Sequence, residues 1–310
     1  MHNLRISFES IARSAGLSGL ARYGNWLEDR VHRVMNVSPQ VLPLTPDIGA
    51  EIHGIDLSTY LDPATLRFIR EALLKHLVIF FRDQELTLEQ HKDFGRCFGE
   101  LHVHPAAGLE DHPEVFVVHA DEHSTNIAGE NWHSDVSCDQ EPPMGSILHV
   151  HTVPDHGGDT LFANMYAAFD SLSDHMKSFL LGLTAVHESE HHYSRRHAQY
   201  RQNLKMRDKA YPAAEHPVVR THPETGRKAL FVNPTFTTRI KGLTSDEGAT
   251  LLQFLFDHLQ SPEYQCRFQW QRHSVAVWDN RCVQHYALWD YFPEVRHGYR
   301  VTIKGDRPYC

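Results

Sequence analysis

A histidine and a carboxylate two residues apart, His133 and Asp135 in the stretch NWHSDVSC (131–138), are where residue type and spacing first suggest chemistry. If the stretch is extended, side chains at i and i+2 leave the same face of the backbone. An imidazole beside a carboxylate supplies two of the three groups of a 2-His-1-carboxylate site, which binds a divalent metal and leaves positions open. With 25 histidines and 39 acidic residues in the chain, such triplets also arise by chance. A third ligand and a reason for the open positions must come from elsewhere.

The C-terminal part offers both. His285, 150 residues after Asp135, is a candidate third ligand from another strand, and Arg296 and Arg300 follow it in a strand-like segment. Four residues apart on a strand, the two arginines share a face. Inside a core they are costly unless anions pair with them. Two readings stay open on the residues alone. The arginines form internal salt bridges to Asp279 or Asp290, or they hold two bound anionic groups in guanidinium forks.

The elements that must position these residues read as a compact α+β pattern from Val37 onward. Asp62-Pro63 caps a helix carrying Leu66, Ile69 and Leu73. The capping boxes Thr87–Gln90 and Thr244–Glu247 open two more, the second running to about Gln260. Strands are expected at Val78–Phe81, Val115–Val118, Ser146–His151, Asp159–Phe162, Val275–Trp278 and Tyr299–Ile303, with a hairpin turning at 222–226. Short strands with few crossover helices predict a mainly antiparallel β core decorated by helices. The polar, basic stretch 189–217 reads as a lid. Residues 1–36, arginine-rich without an apolar signal core, read as an extension whose helix packs on the domain or on a neighbouring subunit.

Composition excludes several classes. No run of 18 apolar residues occurs, so no membrane helix is expected. A net charge of −9 argues against general nucleic-acid binding. Cys97, Cys138, Cys266, Cys282 and Cys310 are scattered and lack a C-x-x-C pair, which fits free thiols in a reducing, cytoplasmic setting. No G-x-S-x-G elbow, P-loop or G-x-G-x-x-G is present. His149 and His151, alternating on a strand, and His191-His192 read as structural.

From about Val37 to Pro308 the chain resembles the taurine dioxygenase (TauD/TfdA) family of Fe(II)- and 2-oxoglutarate-dependent oxygenases. The resemblance rests on NWHSDV, on GGDTLFANMYAAFDSL at 157–172, on VNPTFTTRI at 232–240, and on WDNRCVQHYALWDYFPEVRHGYRVTIKGDRP at 278–308. It implies a double-stranded β-helix (jelly roll) core with flanking helices, one domain over 37–310. It also implies that His133, Asp135 and His285 are catalytic iron ligands. Arg296 would hold the distal carboxylate of 2-oxoglutarate, helped by Thr160, and Arg300 the anionic group of the primary substrate. His104 and Phe236 would line the substrate pocket. The implied reaction consumes O2 and 2-oxoglutarate, releases succinate and CO2, and oxidises a C–H bond by hydroxylation.

Ala107 and Gly129 stand where taurine-using members present a tyrosine and an asparagine, and Ser189 aligns with a pocket phenylalanine. A larger anion than taurine is therefore expected: an alkyl sulfonate, a sulfate ester or a carboxylate. Desaturation at the same iron site, a zinc metallohydrolase and a non-catalytic small-molecule sensor are the alternatives.

Overall fold

The computed structural model describes residues 38–104, 108–196 and 211–310. The chain divides into a small unit, 1–40 with 53–56, and a large one, 41–52 with 57–310. The extension expected at 1–36 and Ala107 lie outside the described residues.

In chain order the elements begin with strands β1 (Gln40–Pro43) and β2 (Ala50–His53), helix α1 (Pro63–His76), strand β3 (Val78–Phe81), helix α2 (Leu88–Arg96), and strands β4 (Val115–Ala120), β5 (Gly145–Thr152) and β6 (Thr160–Asn164). Helices α3 (Met165–Asp170) and α4 (Asp174–Leu180), strand β7 (Thr184–Glu188) and helix α5 (Glu190–Arg196) follow. The rest comprises β8 (Ala213–Pro217), β9 (Val219–Thr221), β10 (Lys228–Leu230), β11 (Thr237–Ile240), α6 (Ser245–His258), β12 (Gln265–Phe268), β13 (Ser274–Asp279), β14 (Val283–Ala287) and β15 (Arg296–Ile303).

Local chemistry explains the helix starts. Asp62 accepts from Thr65 N at 2.7 Å ahead of Pro63, and Thr87/Gln90 and Thr244/Glu247 exchange reciprocal capping bonds. Each such cap contributes about 1 kcal/mol. The helices flank a largely antiparallel framework, so the chain is mainly β.

One seven-stranded sheet has the order β1-β2-β3-β13-β5-β15-β4, and a three-stranded sheet runs β12-β6-β14. Between them sits an aromatic core. Phe80 of β3 stacks on Phe268 of β12 at 3.8 Å and meets Phe162 of β6 edge-on at 5.6 Å. Burying each such ring stabilises the fold by roughly 1.5–3 kcal/mol. The same two sheets carry the site: β6 and β14 on one side, β5, β13 and β15 on the other.

Two expectations change. The stretch 131–138 is not an extended strand: only His133 bridges to β14, and a turn follows it. The polar stretch does not extend to 217, because Ala213–Pro217 pairs antiparallel with β7, burying Ala214 and His216. Of the remainder, 190–196 is helix and 197–210 lies outside the described residues. All five cysteines are free, and no helix among the described residues is long and apolar enough to cross a membrane.

Candidate active site

His133 and His285 meet as an antiparallel pair. His133 N donates to His285 O (3.1 Å) and His285 N to His133 O (2.9 Å). The reciprocal bonds place the imidazoles side by side, with ring centroids 4.1 Å apart. Gly129 makes room for this. Its φ is +88°, and a Cβ there would stand 3.2 Å from His133 Cε1.

A turn then delivers Asp135. Ser134 Oγ donates to Asn280 O (2.7 Å), Asp135 N donates to Asn280 Oδ1 (3.3 Å), and Val136 takes a φ of 46°. Asp135 Oδ1 comes to 3.7 Å from His133 Nε2 and 3.9 Å from His285 Nε2. One ligand atom from each of the three residues lies within 4.8 Å of the other two.

The donor set suits a divalent metal. His133 Nδ1 lies 2.8 Å from Asn131 O, and a carbonyl only accepts, so Nδ1 carries the proton and Nε2 presents a lone pair. Asp135 Oδ2 accepts from Ser146 Oγ (2.7 Å), itself held by Asn280 Nδ2 (3.1 Å), which leaves Oδ1 facing the histidines. Burial alone would raise the Asp135 carboxyl. The Arg300 guanidinium and the two imidazoles outweigh burial and hold it well below the usual carboxylate range. Burial, followed by the proximity of His133, pushes His285 well below the usual imidazole range. An ionised carboxylate beside neutral imidazole is the form metals bind.

The two arginines reach the same cavity from β15. Arg296, Gly298 and Arg300 point inward, while His297 and Tyr299 point the other way. The internal-salt-bridge reading fails for Asp279 and Asp290. Asp279 is taken by Arg281 and His222, and Asp290 by Gly158 N. Arg296 is 2 % exposed, and no carboxylate among the described residues lies within 4.0 Å of its guanidinium. Its neighbours are Thr160 Oγ1 (Nη2, 3.5 Å), the Trp270 ring (5.3 Å) and the Tyr291 hydroxyl, which hydrogen-bonds the guanidinium. Its Nε is buried without a partner. Arg300 Nη1 bonds Asp135 Oδ1 (2.5 Å), its guanidinium lies over Phe116 (4.7 Å), and its Nε is also unpartnered.

The cavity is lined by His133, Asp135, His285, Thr160, Arg296 and Arg300 together with apolar Phe116, Val118, Leu148, Phe162, Phe236, Trp278 and Ala287. His104, His192 and Tyr193 close one side, with Tyr193 Oη 3.4 Å from His104 Nε2. One pocket thus combines a three-ligand cluster, a cation without a protein anion and an apolar wall.

The model of the taurine catabolism dioxygenase TauD, TfdA family matches residues 40–302. The chain belongs to this family. Among its relatives, an alkylsulfatase of Acinetobacter baylyi is 37% identical over 86% of this chain and 85% of its own. An alpha-ketoglutarate-dependent sulfate ester dioxygenase of Pseudomonas putida is 36% identical over 86% and 90%. Of solved structures, a taurine dioxygenase from Burkholderia xenovorans matches at a TM-score of 0.75 and 40% identity, over 88% of this chain and 91% of that one. AAD-2 in complex with Mn(II) and N-oxalylglycine matches at 0.72 and 27% identity, over 88% and 100%.

Of the residues expected on sequence grounds to form the site, the three expected ligands, Thr160, Arg296, Arg300, His104, Phe236 and Gly129 fall in this one cavity. Ser189 does not. It is fully buried, donates to Pro212 O (2.8 Å), and ties down the base of the polar stretch. Sequence reasoning missed Phe116, Trp270, Trp278, Tyr193, Ser146 and Asn280. Pocket aromatics look like core aromatics by type. The Trp278-x-Asn280 spacing was the available signal for Asn280, which accepts from Trp278 Nε1 (2.9 Å) while holding Ser146.

Proposed function

We infer that this chain is an Fe(II)- and 2-oxoglutarate-dependent dioxygenase in which His133, Asp135 and His285 hold the iron. Arg296 and Thr160 take the distal carboxylate of 2-oxoglutarate, and Arg300 takes the anionic group of the primary substrate. The observation that carries this reading is Arg296, a buried cation without a protein carboxylate, opening on the same cavity as the three ligands. Iron with 2-oxoglutarate and O2 supplies the oxidising power that breaks a substrate C–H bond and releases succinate and CO2.

The protein's own part is positioning. Thr160 Oγ1 accepts from Trp270 Nε1 (2.9 Å) and faces Arg296 Nη2, so its hydroxyl proton is free to donate to a carboxylate. Arg296 adds a guanidinium in a pocket that burial has stripped of water, where a charge-assisted bond is strong. Arg300 presents its unpartnered Nε to a second anion while Nη1 stays on Asp135. Phe116, Val118, Leu148 and Ala287 give the same cavity an apolar wall. The substrate that fits is an anion on a hydrocarbon chain: an alkyl sulfonate, a sulfate ester or a carboxylate. Relatives named for sulfate esters and sulfonates support this class.

The same reading makes the core a double-stranded β-helix, residues 37–310 one domain, and the polar stretch beginning at Ser189 a lid. It places the enzyme in the cytoplasm as a small-molecule enzyme, without nucleic-acid partners, and its extension at 1–36 on the domain or on a neighbouring subunit. The test is succinate release from 2-oxoglutarate with Fe(II), O2 and a panel of alkyl sulfates, alkyl sulfonates and carboxylates. At least one panel member should raise succinate well above the substrate-free rate, and His133→Ala should return it to background. A panel that never rises above background contradicts the reading.

A further inference from the structure

The face of the large sheet that points away from the cavity carries a second arrangement of nitrogen ligands. Antiparallel pairing of β15 with β4 sets His297 directly opposite His119. Val118 and Arg296, their chain neighbours, line the cavity on the other face. The two Nδ1 atoms stand 3.3 Å apart. Two imidazole nitrogens on one tetrahedral ion, each at about 2.0–2.1 Å, stand roughly 3.4 Å apart.

The remaining nitrogen of His119 is committed. Its Nε2 lies 3.2 Å from Asp121 Oδ2, and a carboxylate accepts, so Nε2 carries the proton and Nδ1 is a bare lone pair. Asp121 is itself fixed: its Oδ1 accepts from His123 N and from Ser124 Oγ, each at 3.0 Å. A carboxylate that orients one imidazole nitrogen so the other can bind is the outer-shell arrangement of metal-bound histidine. The side chains of His119 and Asp121 are 44% and 30% exposed, so an ion reaches them from solvent.

We propose that His119 and His297 form a second, outward-facing site for a late first-row divalent cation of the zinc, nickel or copper class, with Asp121 orienting His119. Imidazole donors without thiolate or clustered carboxylate select that class over magnesium or calcium. The bound ion cross-links β4 to β15 behind Arg296, with water completing its coordination. The competing reading is a plain hydrogen bond between two neutral imidazoles, which holds no ion.

Equilibrium dialysis of the full chain against Zn(II), with bound metal counted, separates the two. His119→Ala and His297→Ala should each bind one equivalent fewer than wild type. A His133→Ala/His285→Ala variant should lose a different equivalent and keep the outer one. In that double variant Zn(II) should still raise Tm, and adding His297→Ala should remove the rise. Asp121→Asn should weaken the outer site about 10- to 100-fold. His297→Gln repeats the count should the alanine variant fail to fold. Folded His119 and His297 variants that bind as many equivalents as wild type, or an Asp121→Asn variant with unchanged affinity, overturn the proposal.

Discussion

Among the described residues, two buried clusters meet the same geometric requirement for a metal, and they are chemically opposite. His133, Asp135 and His285 form one; His222, Asp279 and Cys282 form the other. In the second, every donor is already used. His222 Nδ1 accepts from Glu224 N and Thr225 N, so its Nε2 proton goes to Asp279 Oδ2 at 3.0 Å. Asp279 also takes a bidentate fork from Arg281, at 2.8 and 2.6 Å, and burial pushes the Cys282 thiol well up. That cluster closes a turn. In the first, His133 Nε2 faces a cavity, and Asp135 Oδ1, though it accepts from Arg300 Nη1, keeps a second lone pair beside the histidines, while Arg300 has a donor to spare. Proximity of ligand types is common to both; a lone pair aimed at open space separates them.

The sharpest way to break this contrast is to exchange the phenotypes. His133→Ala or His285→Ala should reduce 2-oxoglutarate turnover to background while the protein stays folded, checked by succinate release and Tm. Asp279→Asn should do the reverse. Removing one partner of a buried pair costs roughly 3–5 kcal/mol, so denaturant unfolding should shift strongly while iron binding per folded molecule is kept. Loss of iron in Asp279→Asn would show that the second cluster is not merely structural.

Within the first cluster the arginines should separate next. Arg300→Ala should raise KM for the primary substrate about 100-fold, on the order of 3 kcal/mol, and leave KM for 2-oxoglutarate within about twofold. Arg296→Ala should give the opposite pattern. A smaller effect belongs to Ser146, whose hydroxyl donates to Asp135 Oδ2 and accepts from Asn280 Nδ2. Ser146→Ala should weaken iron binding about 10-fold or more without changing substrate preference.

A further expected effect concerns pH. Burial pulls His91 down to about 4 and His149 to about 3. Unfolded, both titrate near pH 6.5. Between about 6.5 and 4 the unfolded chain therefore binds more protons, and stability must fall as pH falls through that window. Metal-free protein should lose Tm steadily from pH 6.5 to 4, and His149→Gln should flatten the slope. A pH-independent Tm across the window would mean these histidines are charged in the fold.

What the sequence disclosed divides by range. Capping boxes, the Asp62-Pro63 start and the 222–226 hairpin were legible because their partners lie within a few residues along the chain. The conformation of 131–138 was not, since Asn280, 146 residues beyond Ser134, makes the turn. The spacing of His133 and Asp135 predicted neighbours for the wrong reason: a turn brings them together, not a strand. Strand β8 was hidden because AAEHP buries only an alanine and a histidine. The arginine pair was legible in placement, because strand alternation survives on β15. Its meaning was not, since the unsatisfied state of Arg296 depends on where Asp159, Asp279 and Asp290 find their own partners.

The most direct test of the central claim is anaerobic calorimetric titration of 2-oxoglutarate into Fe(II)-loaded protein, which requires no knowledge of the substrate. Wild type and Arg300→Ala should bind one equivalent with similar affinity, whereas His285→Ala and Arg296→Ala should show no saturable binding. Binding that survives Arg296→Ala, or that Arg300→Ala abolishes equally, would contradict the assignment of the site.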